Sequence, residues 1–178
     1  MISYKQFSKL SDSEIVELNS NPFYGLEIEE PAQVLRAVGQ RDPLYNQTSF
    51  VIFVENPDTT ARFLGIAFVR ELEAAPNIEI EAIVSSGTKY GLRWFPLEAK
   101  KVLLGISSQL KVDLIQKILN ETSKVLSLSK PSICLVTDEH GGFLFENFEE
   151  NGFEAKGEFQ PLPWVSKLKM WKIPTKSI

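Results

Sequence analysis

Cysteine and histidine are almost missing from this 178-residue chain, which has one of each, Cys134 and His140. A lone thiol cannot close an intramolecular disulfide or build a cysteine metal site, and a lone imidazole excludes histidine-rich metal centres and any triad that needs a second one. No metal is therefore expected. Cys134 lies in the apolar run Ile133-Cys134-Leu135-Val136 and reads as a small core residue. Positive charge is also scarce. With 19 Lys and Arg against 23 Asp and Glu, the formal net charge is −4, which opposes the counterion displacement that drives nucleic-acid binding. The Lys167, Lys169, Lys172 and Lys176 cluster reads as a solvated strand face. Long apolar runs are lacking too, and Met1-Ile2-Ser3-Tyr4-Lys5 has no apolar leader region, so no membrane contact and a cytoplasmic location are expected. Repeats and flexible linkers are absent, which makes residues 1–178 a single domain.

What is present suits a packed core: 43% of residues are hydrophobic and 11% aromatic, in a chain long enough to bury them without covalent staples. Ile2 to Phe7 reads as a first strand, and Ser11-Asp12-Ser13-Glu14 as a capping box opening a short helix through Leu18. A second helix follows Pro31, with Val34, Leu35 and Val38 as its apolar face, and ends at Gly39. Phe50–Val54 and Phe63–Val69 pair as a hairpin across Asn56-Pro57-Asp58. Residues 77–84 alternate clearly, Ile78, Ile80, Ala82 and Val84 on one face and Glu79, Glu81 and Ile83 on the other. Leu110, Leu114, Ile118, Thr122 and Val125 mark a long helix to Leu128. A buried strand at 132–137, a short helix at 142–151 capped by Gly152, and strands at 153–159 and 165–173 complete an α/β (α+β) chain.

This order, with Phe145-Glu146-Asn147-Phe148-Glu149-Glu150-Asn151-Gly152-Phe153 near its end, resembles the GNAT N-acetyltransferase superfamily. The resemblance implies a bent, mostly antiparallel mixed sheet of about seven strands flanked by about four helices. It also implies acetyl-CoA or another acyl-CoA as co-substrate, entering where the sheet splays after its fourth strand. The strand end, Ile83 and Val84, would dock the pantetheine, and the turn before the long helix, Leu104, Gly105, Ile106, Ser107 and Ser108, would cradle the pyrophosphate at a helix N-terminus. The family's turn begins with Gln or Arg, where this chain has Val102. An alternative alignment places the turn at Thr88-Lys89-Tyr90-Gly91-Leu92-Arg93. Phe148 stands where the family carries a tyrosine that protonates the leaving thiolate.

N-acyl transfer needs a base for the amine and a proton for the thiolate. Glu79 and Glu81 are the base candidates, because two carboxylates on one strand face raise each other's pKa. Otherwise they form a solvated face. His140 and Tyr90 are the candidates to replace the missing tyrosine. The long segment 85–104, with Tyr90, Trp94, Phe95 and Pro96, reads as an aromatic insertion, either a lid or partner-binding arm or a local extension that packs its own aromatics on the sheet. Two functions remain open. One is an acyl-CoA-dependent N-acyltransferase acting on an amine of a small molecule or protein; the other is an inactive binding or assembly module that uses the insertion to hold a protein partner or a second copy.

Overall fold

The computed structural model describes residues 2–20, 47–54, 63–72, 88–96, 100–129, 132–137, 144–159 and 167–174. Strand β1 (Ile2–Gln6) passes through a 3-10 turn at Phe7–Lys9 into helix α1 (Asp12–Ser20). The helix starts there because the capping box closes. The Glu14 amide donates to Ser11 Oγ at 3.2 Å, and the Ser11 amide donates to Glu14 Oε1 at 3.1 Å. Lys5 on β1 donates to the same carboxylate at 3.1 Å, so a single glutamate ties strand to helix.

The sheet continues through β2 (Ser49–Val54) and β3 (Phe63–Glu71), the hairpin expected from their apolar runs, with a bulge between Ile52 and Phe53. Next come β4 (Tyr90–Pro96), α2 (Lys100–Leu104), α3 (Ser108–Leu126), β5 (Ile133–Thr137), a 3-10 turn at Glu149–Asn151, β6 (Glu154–Phe159) and β7 (Leu168–Lys172). The strands lie in the order β1-β2-β3-β4-β5-β7-β6, and β4–β5 is the parallel pair among otherwise antiparallel neighbours. This is the mixed, mostly antiparallel seven-stranded α/β architecture expected from the sequence.

The described residues of segment 85–104 hold a central strand and a helix. Leu92 and Trp94 are buried in the main core with Leu103 of α2, so the Trp94 ring serves packing. Gly91 explains why the strand is hard to recognise. A Cβ there would sit 2.7 Å from Val136 Cγ2 and 2.9 Å from Leu72 Cδ2, so close approach of neighbouring side chains selects a residue that usually weakens strands. The alternative alignment around Gly91 falls with this observation, since Gly91 is paired with Arg70 on one side and Cys134 on the other.

Helix α3 covers one face of the sheet through Lys111, Val112, Leu114, Ile115, Ile118, Leu119, Thr122 and Ser123. Compared with the expected stripe, the buried face is rotated: Leu110 is 44% exposed and Val125 36%, while Ile115 and Leu119 are buried. A single row of residues underestimates the arc that a helix presents to a flat sheet. The helix ends at Ser127 in the left-handed region, φ 54° and ψ 44°. The described part of 142–151 forms no α-helix. Asn147 Oδ1 accepts from the Glu150 amide at 3.1 Å, and Asn151 Nδ2 donates to the Asn147 carbonyl at 2.7 Å. These local bonds favour a 3-10 turn over helix propagation. Gly152 then closes it at φ 87°, as expected of a left-handed cap.

The presumed helix after Pro31 and the alternating segment 77–84 lie outside the described residues.

Candidate functional site

Strands β4 and β5 pair only over Tyr90–Arg93 and Ile133–Val136. Beyond that seam β4 continues through Trp94, Phe95 and Pro96, still paired with β3 as far as Gly65↔Pro96. Thr137, the next residue of β5, pairs with Lys169 of β7. Between these two strand ends the described sheet therefore divides, and one edge of β4 has no strand neighbour among the described residues. An extended ligand bearing amides can add to such an edge as a further strand.

The chain leaving β4 reaches α2, a short turn, and then α3. Within the turn, the Gly105 amide donates to the Lys101 carbonyl at 3.2 Å and the Ile106 amide to the Leu103 carbonyl at 3.2 Å. Two amides of the expected cradle are thus already engaged. Ser107 caps α3 with no side-chain hydrogen bond, and the first helical bond runs from the Lys111 amide to the Ser107 carbonyl at 3.2 Å. Ser108, Gln109 and Leu110 consequently present amides without acceptors among the described residues, at the positive end of a 19-residue helix. The amides left without acceptors lie slightly later in the chain than the Gly105–Ser108 span. Gly105 is exposed, and a Cβ there would meet only the Val102 and Lys101 carbonyls at 3.4 and 3.5 Å. Packing does not require a glycine at this position; the small residue leaves open space beside the free amides. Val102 and Ile106 pack against the core and anchor the turn, with Leu104 half-buried beside them.

The chain leaving β5 re-enters the description at Leu144 and forms an aromatic cluster. Phe148 stacks on Trp171 with ring centroids 4.7 Å apart and planes at 15°. It also meets Phe145 and Phe153 edge-on at 5.1 and 5.3 Å. Trp171 Nε1 donates to Thr137 Oγ1 at 2.8 Å, fixing the last residue of β5. Phe148 is therefore a core residue and has no proton to give. Tyr90 stands at the closed end of the seam, four residues before Trp94, or about 13 Å along the strand. The Lys89 ammonium lies 5.8 Å from its ring centroid. Glu79, Glu81, Ile83, Val84 and His140 lie outside the described residues.

Two residues of this region, Trp94 and Lys111, are not among the site residues expected from the sequence. Trp94, the first β4 residue beyond the seam, is 3% exposed, and its indole N–H has no acceptor among the described residues. Lys111 is 1% exposed in the first turns of α3, its ammonium donating to the Leu103 carbonyl at 3.0 Å and to the Leu144 carbonyl. Desolvation by burial holds its pKa below the ordinary lysine value. The spacing Lys111, Ile115, Ile118, Thr122 places it on the apolar face, and that periodicity was the available signal. Cys134, beside the seam, is pushed up to about 11 by burial, which leaves an inert thiol.

Among the described residues no group of acidic, cysteine or histidine side chains could hold a metal ion, and no helix is long and apolar enough to cross a membrane. No family model matches the sequence, and no curated protein matches it. One solved structure to which the chain is similar is the crystal structure of the Campylobacter jejuni N-acetyltransferase PseH. The likeness has 12% identity and a TM-score of 0.45, and covers 98% of this chain and 99% of that one.

Proposed function

We propose that this chain is an acyl-CoA-dependent N-acyltransferase that moves an acetyl or other acyl group onto an amine of a small molecule or protein. The observation that carries the reading is the parallel seam that ends at Arg93↔Val136 and is followed in the chain by the uncapped start of α3. The free edge of β4 suits the amides of a pantetheine arm, and the amides of Ser108 to Leu110 suit a diphosphate. The thioester then reaches into the division between β4 and β5.

In the proposed reaction the acceptor amine gives a proton to a base. Its nitrogen bonds to the acyl carbon, the carbon–sulfur bond breaks, and the thiolate takes up a proton. One proton leaves the amine and one reaches the sulfur, so the balance needs no outside reagent. Glu81, with Glu79 beside it, is the candidate base, and His140 is the candidate donor to the thiolate in place of Phe148. Tyr90, at the closed end of the seam, is the weaker alternative for that donor.

The aromatic seat of Phe148 favours a second reading, a domain that binds CoA without turning it over. Calorimetry with acetyl-CoA, followed by thiol release in the presence of a panel of primary amines, separates the readings. Micromolar binding with amine-dependent thiol release supports the enzyme. Binding without release under every acceptor supports the second reading, and no binding at millimolar acetyl-CoA overturns both.

A further inference from the structure

Lys111 is a charged side chain in an unusual place. It lies inside the core, in the first turns of α3, where the helix dipole is already positive and disfavours a cation. No carboxylate pairs with it among the described residues; its neighbours are two carbonyls and the face of Phe145, whose centroid is 4.8 Å from Nζ. Burying a cation without an anion is costly, and carbonyl dipoles with an aromatic face compensate only in part. A hydrophobic residue would suit this position better if packing were its only role.

Its two acceptors belong to the two chain segments that leave the seam. Leu103 follows β4 and Leu144 follows β5. The Leu103 carbonyl also accepts from the Ile106 amide at 3.2 Å, so it is shared between the turn and the ammonium. Pulling on that carbonyl fixes where Ile106 and Ser107 lie, and with them the direction of the amides that follow.

We propose that Lys111 is a positioning residue for diphosphate binding: it clasps the turn Leu103–Ser107 against the segment at Leu144 and places an uncompensated positive charge behind the free amides of α3. The inference rests on the acyl-CoA reading and assigns to a buried lysine the charge that Val102 cannot supply at the start of the turn. The ammonium does not touch the ligand. It acts through the geometry of the turn and through its field, in surroundings that screen it little.

The test compares wild type with Lys111→Met, using CoA and pantetheine, which lacks the diphosphate, as the two probes. Lys111→Met should weaken CoA about tenfold and leave pantetheine affinity unchanged. In the free protein, amide exchange at Ile106 should accelerate while exchange in β2 and β3 stays the same. Lys111→Arg, which keeps charge and donors, should recover most of the CoA affinity. If Lys111→Met does not fold, the Nζ resonance of Lys111 in nitrogen-labelled wild type serves instead, and should shift on addition of CoA but not of pantetheine. Equal weakening of both probes, an unchanged CoA affinity, or an Nζ resonance indifferent to CoA overturns the proposal and leaves the functional reading standing. Failure of wild type to bind CoA overturns the functional reading and this proposal together.

Discussion

Gly91→Ala is a change whose sign must be decided by magnitude. In most strands an added methyl group is helpful: it reduces the freedom of the unfolded chain and stabilises by about 0.4–1 kcal/mol where the backbone accepts it. Here the new Cβ would lie 2.7 Å from Val136 Cγ2 and 2.9 Å from Leu72 Cδ2. Val136 and Leu72 are 1% and 4% exposed, so neither side chain can swing into solvent to make room. Overpacking of this kind costs about 1–3 kcal/mol. The net effect is a loss of up to about 2.6 kcal/mol, at roughly 2–4 °C per kcal/mol in melting temperature for a chain of this size. Urea unfolding should show a lower midpoint at an unchanged slope. The cause can be isolated by adding Val136→Ala, which removes the nearest contact. The double variant should then be more stable than the sum of the single effects by at least about 0.5 kcal/mol. A stabilised Gly91→Ala, or strict additivity with Val136→Ala, would refute the argument that close approach is why this strand carries a glycine.

Ile118→Ala should cost about 2–5 kcal/mol in urea unfolding, because Ile118 is fully buried beneath α3. Ser127→Gly should raise stability by up to about 1 kcal/mol, since Ser127 holds a positive φ at the end of α3, and the thermal midpoint reads it. The Glu14 carboxyl is held below its usual 4.5, first by the Ser11 backbone hydrogen bond and then by side-chain bonds from Lys5 and Ser11, with burial opposing. Its contribution is therefore complete at neutral pH and disappears as pH falls through the lowered value; the stability gap between wild type and Glu14→Gln should shrink in acid, as urea midpoints at two pH values will show. Gly105→Glu should weaken CoA binding at least about tenfold by charge repulsion beside the α3 amides, with little change in melting temperature, because the added Cβ meets only ordinary contacts.

The sequence exposes those parts of the fold whose causes are local. The capping box at Ser11 and Glu14, the long helix and the Gly152 cap each depend on residues within a few positions of one another, and the hairpin of β2 with β3 on two apolar runs consecutive in the chain, so a linear pattern reveals them. β4 is different. Its glycine answers to Val136 and Leu72, which are distant in sequence, and Pro96 at its end is another residue that strands usually avoid. The rotated face of α3 has a similar origin, because the breadth of the sheet beneath it decides how far burial extends. Lys111 was hidden by chemistry rather than distance: lysine signals a surface until its carbonyl partners are known. For Phe148 the structure adds what no linear pattern shows, its stack on Trp171. Residues 77–84, with the cleanest alternation in the chain, lie outside the described residues.

The seam between β4 and β5 also bears on how the molecule assembles. Strands β1 to β4 are joined side by side in chain order, and β5, β6 and β7 form a second block. Within the described sheet the blocks meet along four residue pairs, joining positions about forty residues apart, such as Tyr90 and Ile133. Contacts between distant positions require loop closure before they return any energy, and they tend to form late. The β1–β2 register spans as far, from Gln6↔Phe50 to Ile2↔Val54, so the seam is one of two distant closures in the described sheet. During synthesis, a chain that has emerged only through β4 leaves the β5 side of that strand bare. Such an edge is a template for other strands, so newly made protein is most exposed to aggregation after β4 has emerged and before β5 arrives to cover it.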